Sequence, residues 1–190
     1  MKRTPCALVV LVASFATGLA ACGSDPVSVS SPVGITLKVQ SGDVTNSAIS
    51  DDKAITTESG NPYGAFISDA QRKLGRDPAR IEVDKLTLTL GAQSTNVTAL
   101  DQVYTGDVDV ALITNDTNST YDIGHVQSPT GAGPVGLSVS FVSQDMVPAD
   151  FTKLVAGSFK VVIRGPAATM FAGKGASADL QLMFTFSAFE

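Results

Sequence analysis

Asp107 and Asp109 alternate along one stretch of chain, and Asp116 and Asp122 follow, with Asn115 and Asn118 nearby. Carboxylate and amide oxygens are the ligands of calcium, which takes ~6–8 of them at ~2.3–2.6 Å. Two strands pairing around a turn at 115–119 would bring several of these oxygens together. Asp107, Asp109, Asp116 and Asp122 are therefore the candidate metal ligands. The plainer reading is a solvated hairpin, because the same residue types favour turns.

Catalytic constellations are sparse. His125 is the single histidine, so a Ser-His-Asp triad would have to use it. It sits beside Gly124 in a strand-like run, and the G-x-S-x-G nucleophile elbow does not occur. A multi-histidine metal centre is excluded within one chain. Gly173-Lys174 fails as a phosphate-binding loop, because Ala168 stands at the first glycine position and Gly175 replaces the hydroxyl residue. Neither H-E-x-x-H nor an EF-hand loop is present. An enzyme of unfamiliar design would need Asp107 and Asp109 in a cleft with raised pKa values. On one strand face they point into water. The expectation is a protein that is not an enzyme and needs no cofactor.

Three further features concern binding. Arg72, Lys73, Arg76, Arg80 and Lys85 form a basic stretch, suited either to anionic lipid headgroups or to the solvent face of a helix and its exit turn. Sugar sites present flat aromatic platforms, but this chain has no tryptophan and three tyrosines, Tyr63, Tyr104 and Tyr121. Met170 and Phe171 lie in a glycine-rich loop at 165–177, as a contact surface or as a plug folded back on the domain. The tripeptides at Asn96, Asn115 and Asn118 fit the N-glycosylation pattern but read as polar strand edges and turns.

These residues need elements to hold them, and alternation supplies most of them. Apolar residues at every second position occur at 35–39, 86–90, 108–112, 121–123, 135–141, 159–163 and 180–186. Such a period buries one face of a strand. Seven or eight strands of this kind predict an all-β fold, a β-sandwich of immunoglobulin-like or jelly-roll-like type. Ile81 and Val83 are out of phase with Leu86, Leu88 and Leu90, which a β-bulge near Asp84-Lys85 or a break into two strands would explain. One short helix is expected near 62–75, where Tyr63, Phe66, Ile67, Ala70 and Leu74 share a stripe. Asn61 caps it, Pro62 suits its first position and Gly75 its stop. A membrane-spanning barrel fits poorly with short runs and a helical insert.

The amino terminus is the most specific segment. Lys2 and Arg3 precede an apolar stretch from Ala7 to Ala16, shorter than the ~20 residues that span a bilayer. Such a stretch reads as an export signal. Its end, Leu19-Ala20-Ala21-Cys22, resembles the lipobox of bacterial lipoproteins. That resemblance implies diacylglyceryl attachment to the Cys22 thiol, cleavage just before it, and stable anchoring by acyl chains. Residues 1–21 are then a signal peptide, 22–34 a lipidated cysteine and flexible linker, and 35–190 a single domain. The linker assignment rests on the Ser, Pro and Gly content of 23–34. Gly23 follows the cysteine, not the Asp that retains relatives at the inner membrane. The expected location is the cell envelope, at the outer membrane.

Loss of Lys2 and Arg3 leaves 11 basic against 18 acidic residues, a net charge of −7. A chain this acidic is not built to face phosphates, so no nucleic-acid partner is expected. The expected partners are the membrane, through Cys22, and an envelope protein. The function read from the sequence is a structural or protein-binding module. The alternative is a glycan- or calcium-binding module using loops near 115–122 and 165–177. Cys6 is removed and Cys22 acylated, so the mature domain holds no disulfide.

Overall fold

The cleanest alternation in the sequence becomes the longest central strand. In Ser177–Phe189 the even-numbered residues from Ala178 to Ala188 are buried, while Gln181 and Met183 face outward. The computed structural model describes residues 27–58, 60–173 and 175–190. The expected signal peptide and Cys22 lie outside these residues.

The strands are β1 (Ser28–Gln40), β2 (Ala48–Ile55), β3 (Arg80–Leu90), β4 (Val108–Thr114), β5 (Thr120–Val126), β6 (Val135–Gly136), β7 (Ser138–Val139), β8 (Phe159–Pro166) and β9 (Ser177–Phe189). The helices are α1 (Pro62–Leu74), α2 (Pro148–Ala156) and α3 (Thr169–Gly173). One sheet has the order β1-β9-β3-β6 and the other β2-β8-β4-β5-β7. Every pairing between them is antiparallel. The inner faces share one core, so the chain forms a β-sandwich.

The order distinguishes the two expected sandwich types. β6 and β7 are two halves of one crossing segment. Counted as one strand, the first strand pairs with the last, the second with the penultimate, the third with the sixth and the fourth with the fifth. That is a ribbon folded on itself and wrapped into two sheets, the jelly-roll arrangement. An immunoglobulin sandwich groups its strands differently.

The same order fixes two ends. Connections 41–47, 91–107, 127–134 and 167–176 all leave the sheets on one side, here the loop end. Connections 56–79, 115–119 and 140–158 lie at the other, together with the first and last described residues, Val27 and Glu190. Ser28, Arg80 and Phe189 sit side by side there. This is the terminal end.

Four local outcomes differ from the sequence reading or refine it. Residues 28–34 are not linker: they form the first half of β1, with Val29 and Val33 buried and Ser28 in register with Phe189. Of the residues that suggested a tether, Ser28, Ser30 and Pro32 lie on the outward face of this edge strand, where a proline is tolerated, and Ser31 is half-buried on the inward face. The sandwich therefore includes the residues from Ser28 onward. The run at 135–141 is two short strands in different sheets, with buried Leu137 between them. The bulge is real, between Val83 and Lys85, and it returns both apolar sets to the core face. Finally, three helices replace the one expected, and β2 is an additional strand. Its alternation is masked by Asp51 and Lys53, which share the parity of buried Ile49 and Ile55. Inward-leaning charges of this kind guard an edge strand. Burial pushes the Asp51 carboxyl above its ordinary pKa.

Helix α1 forms as expected. Asn61 accepts from the Tyr63 amide at 2.9 Å, Pro62 opens the helix, and Gly75 closes it at φ 71°. Its buried stripe plugs the terminal end of the sandwich. The Tyr63 ring meets Phe159 edge-on at 5.0 Å and Phe186 at 5.3 Å, and Phe66 stacks on Phe186 at 5.7 Å. Helix α2 follows the same grammar, with Pro148 at its start and Gly157 at φ 66° as its stop. The Tyr63 hydroxyl donates to the Leu154 carbonyl at 2.9 Å and ties the two helices together.

Candidate functional sites

The alternating aspartates stand on the outer face of the five-stranded sheet. Register aligns Ser50, Arg164, Asp109, His125 and Ser138 across its five strands. Asp109 Oδ1 lies 2.8 Å from His125 Nδ1, and Asp107 Oδ2 lies 3.8 Å from His125 Nε2. All three side chains are about half exposed. The hydrogen bond to Asp109 raises the His125 pKa above its ordinary value, and the charges of both carboxylates add to the effect.

This geometry fits a charge pair better than a catalytic or metal site. Both ring nitrogens face carboxylates, so neither is aimed at a serine hydroxyl. The carboxylates approach opposite nitrogens, so no single point serves all three groups as a metal would require. Among the described residues, no group of three or more His, Cys, Asp or Glu is placed to share a metal ion. The four candidate ligands do not converge. Asp107 and Asp109 lie toward the loop end, and Asp116 lies in the hairpin tip at the terminal end. The strand from Asp109 to Thr114 alone spans ~17 Å. Asp116 instead pairs with Lys153 at 2.9 Å, whose ammonium also donates to the Asn115 carbonyl. Asp122 is exposed on β5, next to Ala111 in register.

The acidic residue with the most unusual surroundings is one that sequence reading missed. Asp150 lies in the first turn of α2 and is fully buried. Its carboxylate accepts from Thr117 at 2.7 Å, Tyr121 at 2.8 Å and Thr114 at 3.3 Å. The hydroxyl of Thr117, followed by those of Ser119, Tyr121 and Thr114, outweighs burial and lowers its pKa to about 2. The cluster fastens the β4–β5 hairpin to α2. A Pro followed two residues later by Asp, ahead of an apolar run, is the sequence signal for that helix start.

Between α1 and α2 runs a groove of about 490 Å³, lined by Ile67, Gln71, Pro78, Phe151, Thr152 and Val155 among others. Gln71 donates to Asp77 at its rim, at 2.7 Å. The volume falls within the range of small-molecule sites, ~300–1,000 Å³, but the groove is open to solvent.

The remaining candidates separate. In the basic stretch Arg72 and Lys73 both pair with Asp69. Arg80 pairs with Glu82 at 3.0 Å and stacks 3.9 Å above the Phe189 ring. Phe171 is buried and helps close the loop end, whereas Met170 is 49% exposed. Tyr63 and Tyr104 are buried, and Tyr121 is half-buried with its hydroxyl on Asp150, so no tyrosine offers an open sugar platform. The loops near 115–122 and 165–177, expected to share a ligand, lie at opposite ends of the sandwich. That arrangement overturns a joint site.

No family model and no curated protein matches this chain. Among solved structures, one of Cocksfoot mottle virus at 2.7 Å shares 12% identity over 100% of this chain and 95% of that one, with a TM-score of 0.29. A likeness that slight carries no argument, and the jelly-roll assignment rests on the strand order alone.

Proposed function

We propose that this chain is an outer-membrane lipoprotein whose jelly-roll domain acts as a non-enzymatic structural or protein-binding module. The observation that carries this reading is Leu19-Ala20-Ala21-Cys22, placed behind a basic start and a short apolar run. The position of the first strand supports it. Only residues 23–27 separate Cys22 from Ser28, so acyl chains on that thiol would hold the sandwich close to the bilayer. The non-enzymatic part is favoured by the way His125 is occupied by two carboxylates and by the scattering of the other acids. The partner is another envelope protein; the net negative charge argues against nucleic acid.

The test is to express the full chain in a bacterium and measure the intact mass of the membrane-extracted protein. A chain that begins at Cys22 and carries acyl groups is expected, in the outer-membrane fraction. Cys22→Ala should remain uncleaved and without acyl groups. A wild-type chain recovered with a free Cys22 thiol would overturn the reading.

A further inference from the structure

The tether also selects which surface of the sandwich meets the lipid. Val27 leaves the domain at the terminal end, where its carbonyl accepts from the Glu190 amide at 3.3 Å. Five residues, 23–27, reach ~17 Å when fully extended. Strand β1, with 13 residues, is ~40 Å long. The loop end therefore stands beyond the reach of the anchor, and the terminal end lies within it.

Surface chemistry agrees with that geometry. Two of the large apolar side chains left exposed, Val27 at 48% and Val147 at 55%, belong to the terminal end. Arg72, Lys73 and Arg76 project from the last turn of α1 and its exit, and Arg80 covers Phe189 beside Ser28. Lys38 and Arg164 are the described basic residues nearest the loop end. Arg72, Lys73 and Arg80 are paired with Asp69 and Glu82, so this end offers a bilayer interface their long apolar stems and the tips of Val27 and Val147 rather than a free positive patch. The groove between α1 and α2 opens on the same end.

We infer that the terminal end, built from α1, α2 and the 115–119 hairpin, is a bilayer-facing surface, and that the loop end points away from the membrane. This rests on the lipid anchor proposed above. The tether keeps the domain at high local concentration over the membrane, and the surface residues decide which face turns down.

Acylation of Cys22 leaves the mature chain without a free thiol, so single cysteines can be labelled selectively. Fluorophores would be placed at Glu58→Cys and Gln144→Cys on the terminal end, and at Gln93→Cys and Thr130→Cys on the loop end. All four sites are exposed. The acylated protein is reconstituted into vesicles of phosphatidylcholine and phosphatidylglycerol carrying a nitroxide headgroup quencher. Quenching at 58 and 144 is expected to exceed that at 93 and 130 severalfold. Equal quenching at both ends, or none at either, in protein that floats with the vesicles overturns the orientation while leaving the anchor intact. Protein that fails to float and lacks acyl chains overturns the anchor, and this inference with it.

Discussion

The phenol of Tyr121 donates a 2.8 Å hydrogen bond to the buried carboxylate of Asp150. The contact joins a hairpin strand to the first turn of a helix, and two threonine hydroxyls complete the arrangement. A carboxylate held in this way is stabilised in its charged form, which is why its pKa falls to about 2.

Acid should undo that joint in a defined window. A depressed folded-state pKa contributes stability above the unfolded value of ~3.9, and that contribution is lost as pH falls toward the folded value. The melting temperature of the wild type is expected to drop between about pH 4 and pH 2, with Asp150→Asn already lower at pH 7. The gap between the two should narrow as the pH falls. Parallel melting curves at every pH would count against the hydroxyl cluster as its cause.

Tyr63→Phe isolates the link between the helices. The ring keeps its place among Phe66, Phe159 and Phe186, while the Leu154 carbonyl loses the phenol and keeps only the Gly157 amide at 3.1 Å. Loss of one neutral hydrogen bond from an acceptor that keeps another costs about 0.5–1.5 kcal/mol. Urea unfolding should show a loss of that size, with the secondary structure retained by circular dichroism.

Gly64→Ala sets two effects against each other. In an ordinary helix interior alanine is favoured over glycine by about 1 kcal/mol. Here a Cβ at position 64 would lie 2.8 Å from the Thr57 carbonyl oxygen. The obstacle is backbone and cannot swing aside, and overpacking costs about 1–3 kcal/mol. The variant should be less stable than wild type by urea unfolding, against the helix-propensity trend.

His125 reports on its two carboxylates. Its raised folded-state pKa contributes stability below the unfolded value of ~6.5, and that contribution disappears as pH rises through the folded value. With one histidine in the chain, a single imidazole titration is expected by NMR, with its midpoint above that of a free histidine. Asp109→Asn should shift it downward more than Asp107→Asn, because only Asp109 bonds the ring directly at 2.8 Å.

Strands with a clean period were legible, as Leu180, Leu182, Phe184 and Phe186 show. So was α1, whose cap, proline and stop all agree. β2 was not, because Asp51 and Lys53 occupy inward parity on an edge strand, where guarding the edge outweighs burial. The start of β1 was hidden by Ser30, Ser31 and Pro32, whose composition resembles a linker. Helix α2 escaped notice because its nine residues follow a run that reads as strand. For the sites, sequence proximity placed Asp107, Asp109, Asp116 and Asp122 together, yet a strand lies between the first two and Asp116. Asp150 was invisible for the opposite reason: its partners Thr114 and Thr117 stand 36 and 33 positions away in the chain.

The pairing of β1 with β9 bears on how the molecule comes into being. Val27 and Glu190 meet across 163 positions, so the strand that is synthesised first has no partner until the final stretch has followed it. Contacts so distant in sequence slow folding, and a nascent chain with an unpaired edge is prone to aggregate. Chain synthesis must therefore be complete before the sandwich can close.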